Sequence, residues 1–390
     1  MMIKETEKAP AIRFRGFTDD WEQRKLGEIT KSNSFKQYIA EGTLDGTYEV
    51  IQQGDTPVVG YADGKPFEDY EDVSLFGDHT LSLYKPKSPF FIASDGIKIL
   101  SPSISINGLF YYYLLMRYKP HSEGYKRHYT ILKSCEALYP TECEEQKKIG
   151  EYFDNLDNLI TLHQRKLELM KKLKAFFLKN MFPEEGETAP RIRFKGFTGD
   201  WEQRKLGDIY KDIGNAFVGT ATPYYVDNGH FYLESNNVKD GQINYNSEVF
   251  INNEFYERQK SKWLHTGDIV MVQSGHVGHS AVIPEELNNL AAHALIMFRH
   301  PKVEINPYFL NYQYQTCGAK KKIENITKGN TIKHILASDM QKFEVLIPSI
   351  DEQKKIGAFL QSIDSLFILH QRKLDQLQNV KKFMLQNLFI

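Results

Sequence analysis

The sequence predicts an α+β chain: two globular domains, each followed by one long helix with a coiled-coil seam, in an internal repeat. Two repeats and one pattern predict it. Residues 12–29 read IRFRGFTDDWEQRKLGEI and residues 192–209 read IRFKGFTGDWEQRKLGDI, fifteen of eighteen positions identical at an offset of 180. A second phrase, EQKKIG…LHQRKL, fills residues 145–167 and returns at 352–374, an offset of 207. The intervening residues do not repeat; they carry short β-like runs broken by turns. Internal repeats settle architecture before any single residue does.

The lead block comes first. Its aromatic residues, Phe14, Phe17 and Trp21, and their copies Phe194, Phe197 and Trp201 are identical in both places. That suits a frame role, packing each lead segment onto its own domain. The inserts follow at residues 30–144 and 210–351. Strands are expected at 48–51, 81–84 and 97–100 in the first, and at 229–233, 268–272 and 294–298 in the second. Turn pairs such as Asp63-Gly64, Asp95-Gly96 and Asp240-Gly241 punctuate them. A helix is expected late in each, at 109–118 and 307–317.

Residues 145–182 and 352–389 then read as one long helix each, free of internal proline, roughly 57 Å of rod. Apolar residues fall at Ile149, Phe153, Leu156, Ile160, Leu167, Met170 and Phe177, and again at Ile356, Leu360, Ile363, Phe367, Leu374, Leu377 and Met384. Steps alternating four and three make a coiled-coil seam. Two seam positions are polar in both copies, His163/His370 and Lys174/Lys381. Pro140 and Pro348 mark the helix starts, and Asp351 is a candidate N-cap. The linker FPEEGETAP at 182–190 leads into the second lead block. The expected domains are therefore 1–142, a central helix over 143–182, 183–350, and a distal helix over 351–390.

Composition is that of an ordinary globular protein, 41% hydrophobic and 25% charged. No run approaches the roughly 20 apolar residues of a membrane span. The N-terminus lacks the apolar core of a signal peptide, so a cytoplasmic location is expected. Cys135, Cys143 and Cys317 have no paired spacing and read as free thiols. Forty-nine basic against fifty acidic residues give a net charge of −1. That argues against the simplest strongly basic nucleic-acid reader, but leaves room for a basic face or for charge supplied by a partner.

Two unlike globular domains, each opened by IRFxGFTxxWEQRKLGxI and closed by an EQKKIG…HQRKL helix, resemble one family closely: the specificity subunit of bacterial type I restriction-modification systems. The resemblance spans essentially the whole chain, and the helix phrases are its specific part. It implies that each insert is a target recognition domain reading one half of a bipartite, asymmetric double-stranded DNA site. It implies that the helices pair antiparallel, set the unread spacer and dock two modification (methyltransferase) subunits, with ATP-dependent restriction subunits joining the full complex. It implies a noncatalytic chain without cofactors, S-adenosylmethionine and ATP with magnesium belonging to the partners. The physical logic agrees: a split site needs two heads at fixed spacing. Four added helical residues would move a head roughly 6 Å, close to two base-pair steps of about 3.4 Å.

Motifs that could carry chemistry are incomplete. Asn306-Pro307-Tyr308-Phe309 resembles an amino-methyltransferase motif but lacks its second proline and a cofactor loop. Ser274-Gly275-His276-Val277-Gly278 has no P-loop lysine. His276 and His279 have no further ligands at metal spacing, so no metal is expected. The acidic run Glu68, Asp69, Glu71 and Asp72 reads as a solvated face.

Phosphate contacts call for basic and hydroxyl side chains, and base edges for side chains with paired donors and acceptors. The phosphate candidates are Lys126, Arg127, His128, Tyr129 and Lys133 in the first insert. In the second they are Lys328, Asn330, Thr331, Lys333 and His334, at a comparable distance before the helix. Two ordinary basic surface loops are the alternative. The base-reading candidates are Gln52, Gln53, Tyr61 and Lys65, then Asn236, Asn237, Gln273, Ser274 and His276; otherwise these complete turns. His163 and His370, at the helix midpoints, are candidates for fixing register, or they face solvent. Gln164, Arg165, Lys166, Gln371, Arg372 and Lys373 are candidates for partner docking, or solvated charge. A rival class is a two-headed noncatalytic adaptor whose inserts bind protein or glycan.

Overall fold

The computed structural model describes residues 8–390 apart from 123, 125, 126 and 330–332. The chain divides into two compact units, Met1–Arg165 with Gln371–Ile390, and Lys166–His370. Each unit holds one head, the first part of the helix that follows it, and the last part of the other long helix. No described helix is long and apolar enough to cross a membrane.

The two heads share one strand plan beneath unlike sequences. The first has a four-stranded antiparallel sheet ordered Thr30–Ser32, Ile97–Pro102, Ser74–Gly77, Leu83–Tyr84. Beside it in the chain is a three-stranded sheet in which Tyr48–Ile51 pairs antiparallel with Val58–Ala62 and parallel with Phe90–Ile92. The second head repeats the larger sheet as Tyr210–Asn215, Leu295–Pro301, Ile269–Val272, Ser280–Val282. Its smaller sheet has four strands, Tyr225–Val226, Phe250–Ile251, His230–Leu233 and Ala291–Ala292, in which His230–Leu233 again has one antiparallel and one parallel neighbour. The third strand of each large sheet is buried along its whole length, so the turn that follows it rises from a fixed base.

The long helices are Cys143–Asn180 and Ile350–Asn387. Both boundaries obey the offset of 207. Each begins and ends about two residues earlier than the periodicity predicts. The cause at the C-terminal end is packing: Met181-Phe182 and Leu388-Phe389 leave the helix and bury in a head core. Phe182 meets Phe309 at 5.3 Å and Trp201 at 6.0 Å. Phe389 likewise meets Phe110 at 5.6 Å and Trp21 at 6.2 Å. Asp351 therefore sits in the first turn rather than at the cap, where its charge faces the positive helix end.

The repeated phrases contact each other, letter for letter. Arg13 clasps Glu145 through two bonds of 2.7 and 2.8 Å, and Arg193 clasps Glu352 at 2.6 and 2.7 Å. Gln146 accepts the Asn107 N–H at 2.8 Å and donates to the Pro140 carbonyl at 2.7 Å; Gln353 does the same for Asn306 and Pro348. Lys148 covers the Phe17 ring and Lys355 the Phe197 ring. A Cβ on Gly150 would lie 2.8 Å from the Phe110 nitrogen, and one on Gly357 2.7 Å from Asn306 Oδ1. The glycine is thus required by close approach of the head helix. Lead-block Ile12 and Ile192 donate their N–H groups to the carbonyls of Asn387 and Asn180, satisfying helix C-termini that would otherwise be orphaned. Trp21 and Trp201 are 2% and 3% exposed, in keeping with the packing role read from their identity.

Lys174 and Lys381, polar at seam positions, each close a three-membered cluster. Lys381 Nζ lies 2.5 Å from Asp157, which accepts the Tyr113 hydroxyl at 2.9 Å. Lys174 Nζ lies 2.9 Å from Asp364, which accepts the Tyr312 hydroxyl at 2.8 Å. Each ammonium also sits over the tyrosine ring, at 5.6 and 5.3 Å. Burial, then the adjacent carboxylate, raises both phenols well above the ordinary range, so each stays a neutral donor. His163 and His370 are half-buried, one in each unit. Lys381→Ala should destabilise the first unit by about 2 kcal/mol, because it strands a part-buried carboxylate. Lys381→Met combined with Asp157→Leu should recover most of that. Hydrogen exchange across residues 150–160 would register both changes, and unaltered protection in the single variant would deny the cluster this role.

Candidate nucleic-acid interface

Three segments meet at one end of each head. They are the turn between the third and fourth strands of the large sheet, the loop that leaves the central strand of the small sheet, and the segment leading into the last short helix.

In the first head the turn is residues 78–82. The Asp78 carbonyl accepts the His128 N–H at 2.8 Å, and Asp78 Oδ1 accepts the Tyr129 N–H at 2.8 Å. Asp78 thereby caps the helix Tyr129–Ser134. From the other side, Gln53 Oε1 accepts the His79 N–H at 3.3 Å, and Gly54 donates to Ser82 Oγ at 2.9 Å.

In the second head the turn is residues 273–279. Gly275 donates to the Lys333 carbonyl at 3.1 Å, Ile335 donates to the Gln273 carbonyl at 3.0 Å, and Ser274 Oγ lies 2.6 Å from His334 Nδ1. His276 Nε2 lies 3.1 Å from the Ser235 carbonyl. Asp240 donates its N–H to His279 Nδ1 at 3.2 Å. A cleft of about 380 Å³ opens between this turn and the helix Cys317–Ile326, and Lys320 and Lys333 line it. Burial lowers the pKa of His279; Asp240 opposes that shift, and Lys320 and Lys239 add to it.

The junction gathers Gln53, His128 and Tyr129 in one head and Gln273, Ser274, His276, Lys333 and His334 in the other. Several expectations need correction. His128 is fully buried, with Nδ1 3.1 Å from the Asp78 carbonyl; it holds the turn and does not reach a phosphate. Asn237 is also fully buried. Its Oδ1 accepts the Glu234 N–H and its Nδ2 donates to the carbonyls of Asn244 and Ser247, so it closes a loop rather than reading a base. Gln52 donates to the Thr56 carbonyl within its own turn. Gln273 is 6% exposed and supports the turn from beneath.

Tyr129 is half-buried, and burial raises its phenol even though it bonds Ser32. Arg127, Lys133, Lys328 and Lys333 are exposed. Lys133 lies over the Tyr129 ring, Lys328 pairs with Asp339 and Lys333 with Glu324. Asn236, Tyr61 and Lys65 are exposed as well, but none of the bonds building the junction involves Tyr61 or Lys65. Lys126, Asn330 and Thr331 lie outside the described residues. Asn306 caps the helix Pro307–Tyr314 through Phe309, which accounts for the Asn-Pro-Tyr-Phe phrase.

Sequence reasoning missed Lys320, because a lysine run on a short helix looks like any solvated face. It also missed the exposed apolar residues of the long helices. The first unit presents Leu159, Leu162, Val380 and Phe383; the second presents Leu169, Phe176, Leu366 and Leu369, all more than 40% exposed. Their recurrence along each helix, at intervals of three and seven residues in one and three and eleven in the other, was the available signal. Of the docking candidates, Gln164, Arg165, Arg372 and Lys373 are exposed, and Lys166 and Gln371 half-exposed.

The chain matches the family model described as type I restriction modification DNA specificity domain twice, over residues 18–172 and 198–379. It is similar to the type I restriction enzyme MjaVIII specificity subunit of Methanocaldococcus jannaschii, 24% identical over 61% of this chain and 58% of that protein. It is also similar to the putative MjaX specificity subunit of the same organism, 22% identical over 77% of this chain and 72% of that one. The matched stretch thus spans less than two thirds of the first relative's length. Among solved structures, the type I restriction-modification S subunit from M. genitalium shares the fold, with a TM-score of 0.70 at 14% identity over 98% of this chain and 99% of that one.

Asn237→Ala should lower the stability of the second unit by about 1 kcal/mol, since it removes the acceptor of the part-buried Glu234 N–H and the donor to two loop carbonyls. Urea unfolding with and without the substitution checks this; no change would return Asn237 to the list of candidate readers.

Proposed function

This chain belongs to the family of type I restriction modification DNA specificity domains, and from that premise we propose that it is the DNA-reading, noncatalytic subunit of a type I restriction-modification complex. Each head reads one half of a bipartite, asymmetric double-stranded site. One observation carries the reading. Two heads of the same strand plan place unlike polar loops at the same topological position, on a frame whose contacts are repeated residue by residue. A frame held constant beneath variable loops is what two different half-sites require.

Arg127 and Lys133 in one head, and Lys320, Lys328 and Lys333 in the other, supply phosphate contacts that position the duplex. Side chains at the turn read base edges. The near-neutral net charge fits a reader whose affinity depends in part on its partners. Those partners are two modification subunits, which bring S-adenosylmethionine, and restriction subunits, which bring ATP and magnesium; the assembly works in the cytoplasm. The exposed apolar residues of the long helices support docking there, flanked by Gln164, Arg165, Lys166, Gln371, Arg372 and Lys373. An uncovered apolar patch rimmed by polar residues is a usual mark of a protein interface.

Mapping methylated positions in genomic DNA, with and without this chain beside its modification subunits, tests the function. Exchanging residues 30–144 should change one half of the recognised site and leave the other intact. Methylation indifferent to the chain, with no DNA binding by the assembled complex, would favour the adaptor reading instead. Leu159→Glu with Phe383→Glu should leave the isolated chain folded and abolish co-purification with the modification subunits. Full recovery of the complex would move the dock elsewhere.

A further inference from the structure

We propose that the turn between the third and fourth strands of the large sheet is the base-reading element in both heads, with Thr80 and His276 as its specificity-determining side chains. The proposal rests on the DNA-reading function and narrows it to one turn of five residues in one head and seven in the other.

Four observations carry it. The turn occupies the same topological place in both heads and rises from a strand buried along its whole length. Its backbone is pinned from two sides by the bonds described above. Its shape also depends on left-handed residues, Leu81 at φ 56° with its side chain buried, and Gly275 and Gly278 at 80° and 88°. A turn held this way presents its tip without an ordering cost on binding. At that tip Thr80 and His276 are exposed.

The second head has also outgrown the first around this turn. Residues 234–268 separate its central small-sheet strand from the third large-sheet strand, thirty-five residues against twenty-two (52–73) in the first head. Residues 315–336 separate its head helix from the last short helix, twenty-two against ten (119–128). The first of these stretches carries Ser235 and Asp240, the second Lys320 and His334, and all four flank the turn. Size changes gathered around one turn, over an unchanged frame, mark where the two heads differ in task.

The chemistry differs between the tips. His276 Nε2 faces the Ser235 carbonyl, so a neutral ring donates there and leaves Nδ1 as an acceptor. An acceptor suits the exocyclic amino group of adenine or cytosine in the major groove. Thr80 offers a hydroxyl that shares its proton with Ser82 Oγ at 2.9 Å, and a methyl group that suits the thymine methyl.

The test uses the chain assembled with its modification subunits, read by methylation rates on a library of single-base variants of its site. His276→Ala should lose about tenfold or more of its discrimination at one base pair of one half-site, with the other half unchanged. Thr80→Ala, which removes the hydroxyl and the methyl together, should do the same in the opposite half. Arg127→Ala serves as a control that slows all sites alike and leaves the consensus intact. Unchanged discrimination in both variants, or a uniform slowing in both, would overturn the proposal while the DNA-reading function stood. Wild-type complex indifferent to site sequence would remove the underlying function itself.

Discussion

The cluster of lysine, aspartate and tyrosine that forms once in each unit is the constraint on which the rest of the molecule turns. An apolar heptad seam alone tolerates slips of seven residues, because every register buries leucine against isoleucine. A charged pair in the seam does not, since a slip leaves an ammonium and a carboxylate part-buried and apart. With Asp157 and Lys381 only 29% and 18% exposed, screening by water is limited. The tyrosine adds a second condition. Tyr113 and Tyr312 come from the head helices, so the bond that fixes helix register also fixes how each head sits on its own helix segments. Register and head placement become one event.

The Arg–Glu clasp and the glutamine that bridges head and helix act on the same joint from the other side. Arg13 ties the lead block to the helix start, and Gln146 ties the head-helix cap to the same turn. Because the carboxylate lies in the first helical turn, the macrodipole favours its charge as the arginine does. These contacts recur in the second unit with nearly the same lengths. The offset between copies rises from 180 at the lead block to 199 at the caps, Asn107 and Asn306, and to 207 at the long helices, yet the contacts joining these three regions are preserved.

Much of this was legible in the sequence, and what was not has a physical cause. The helices, their seams and the packing role of the tryptophans follow from local periodicity and exact repetition. Lys174 and Lys381 were visible as polar seam residues, but their partners lie 190 and 224 residues away, beyond any local pattern. His128 and Asn237 have the residue types that touch nucleic acid and sit in polar, turn-rich phrases. Tertiary burial turned both inward, because the same donors and acceptors that suit a base edge also suit a loop that must satisfy its own backbone. The three-segment junction could not be read at all from one copy, since strand order is what brings residues near 53, 79 and 128 together.

That junction explains why frame and reader can vary independently. The turn grows from a buried strand whose register is set by its neighbours, Ile97–Pro102 and Leu295–Pro301. The flanking loops, by contrast, bond to it mainly through backbone groups. A backbone donor or acceptor is available whatever the side chain, so loop sequence and length can change without loosening the turn. The side chains that do take part, Gln53 and His128 in one head and His334 in the other, differ between the heads and do equivalent work. The cost of altering a reader is therefore confined to a few bonds at its tip, while the energy that holds the head lies in contacts the tip never touches.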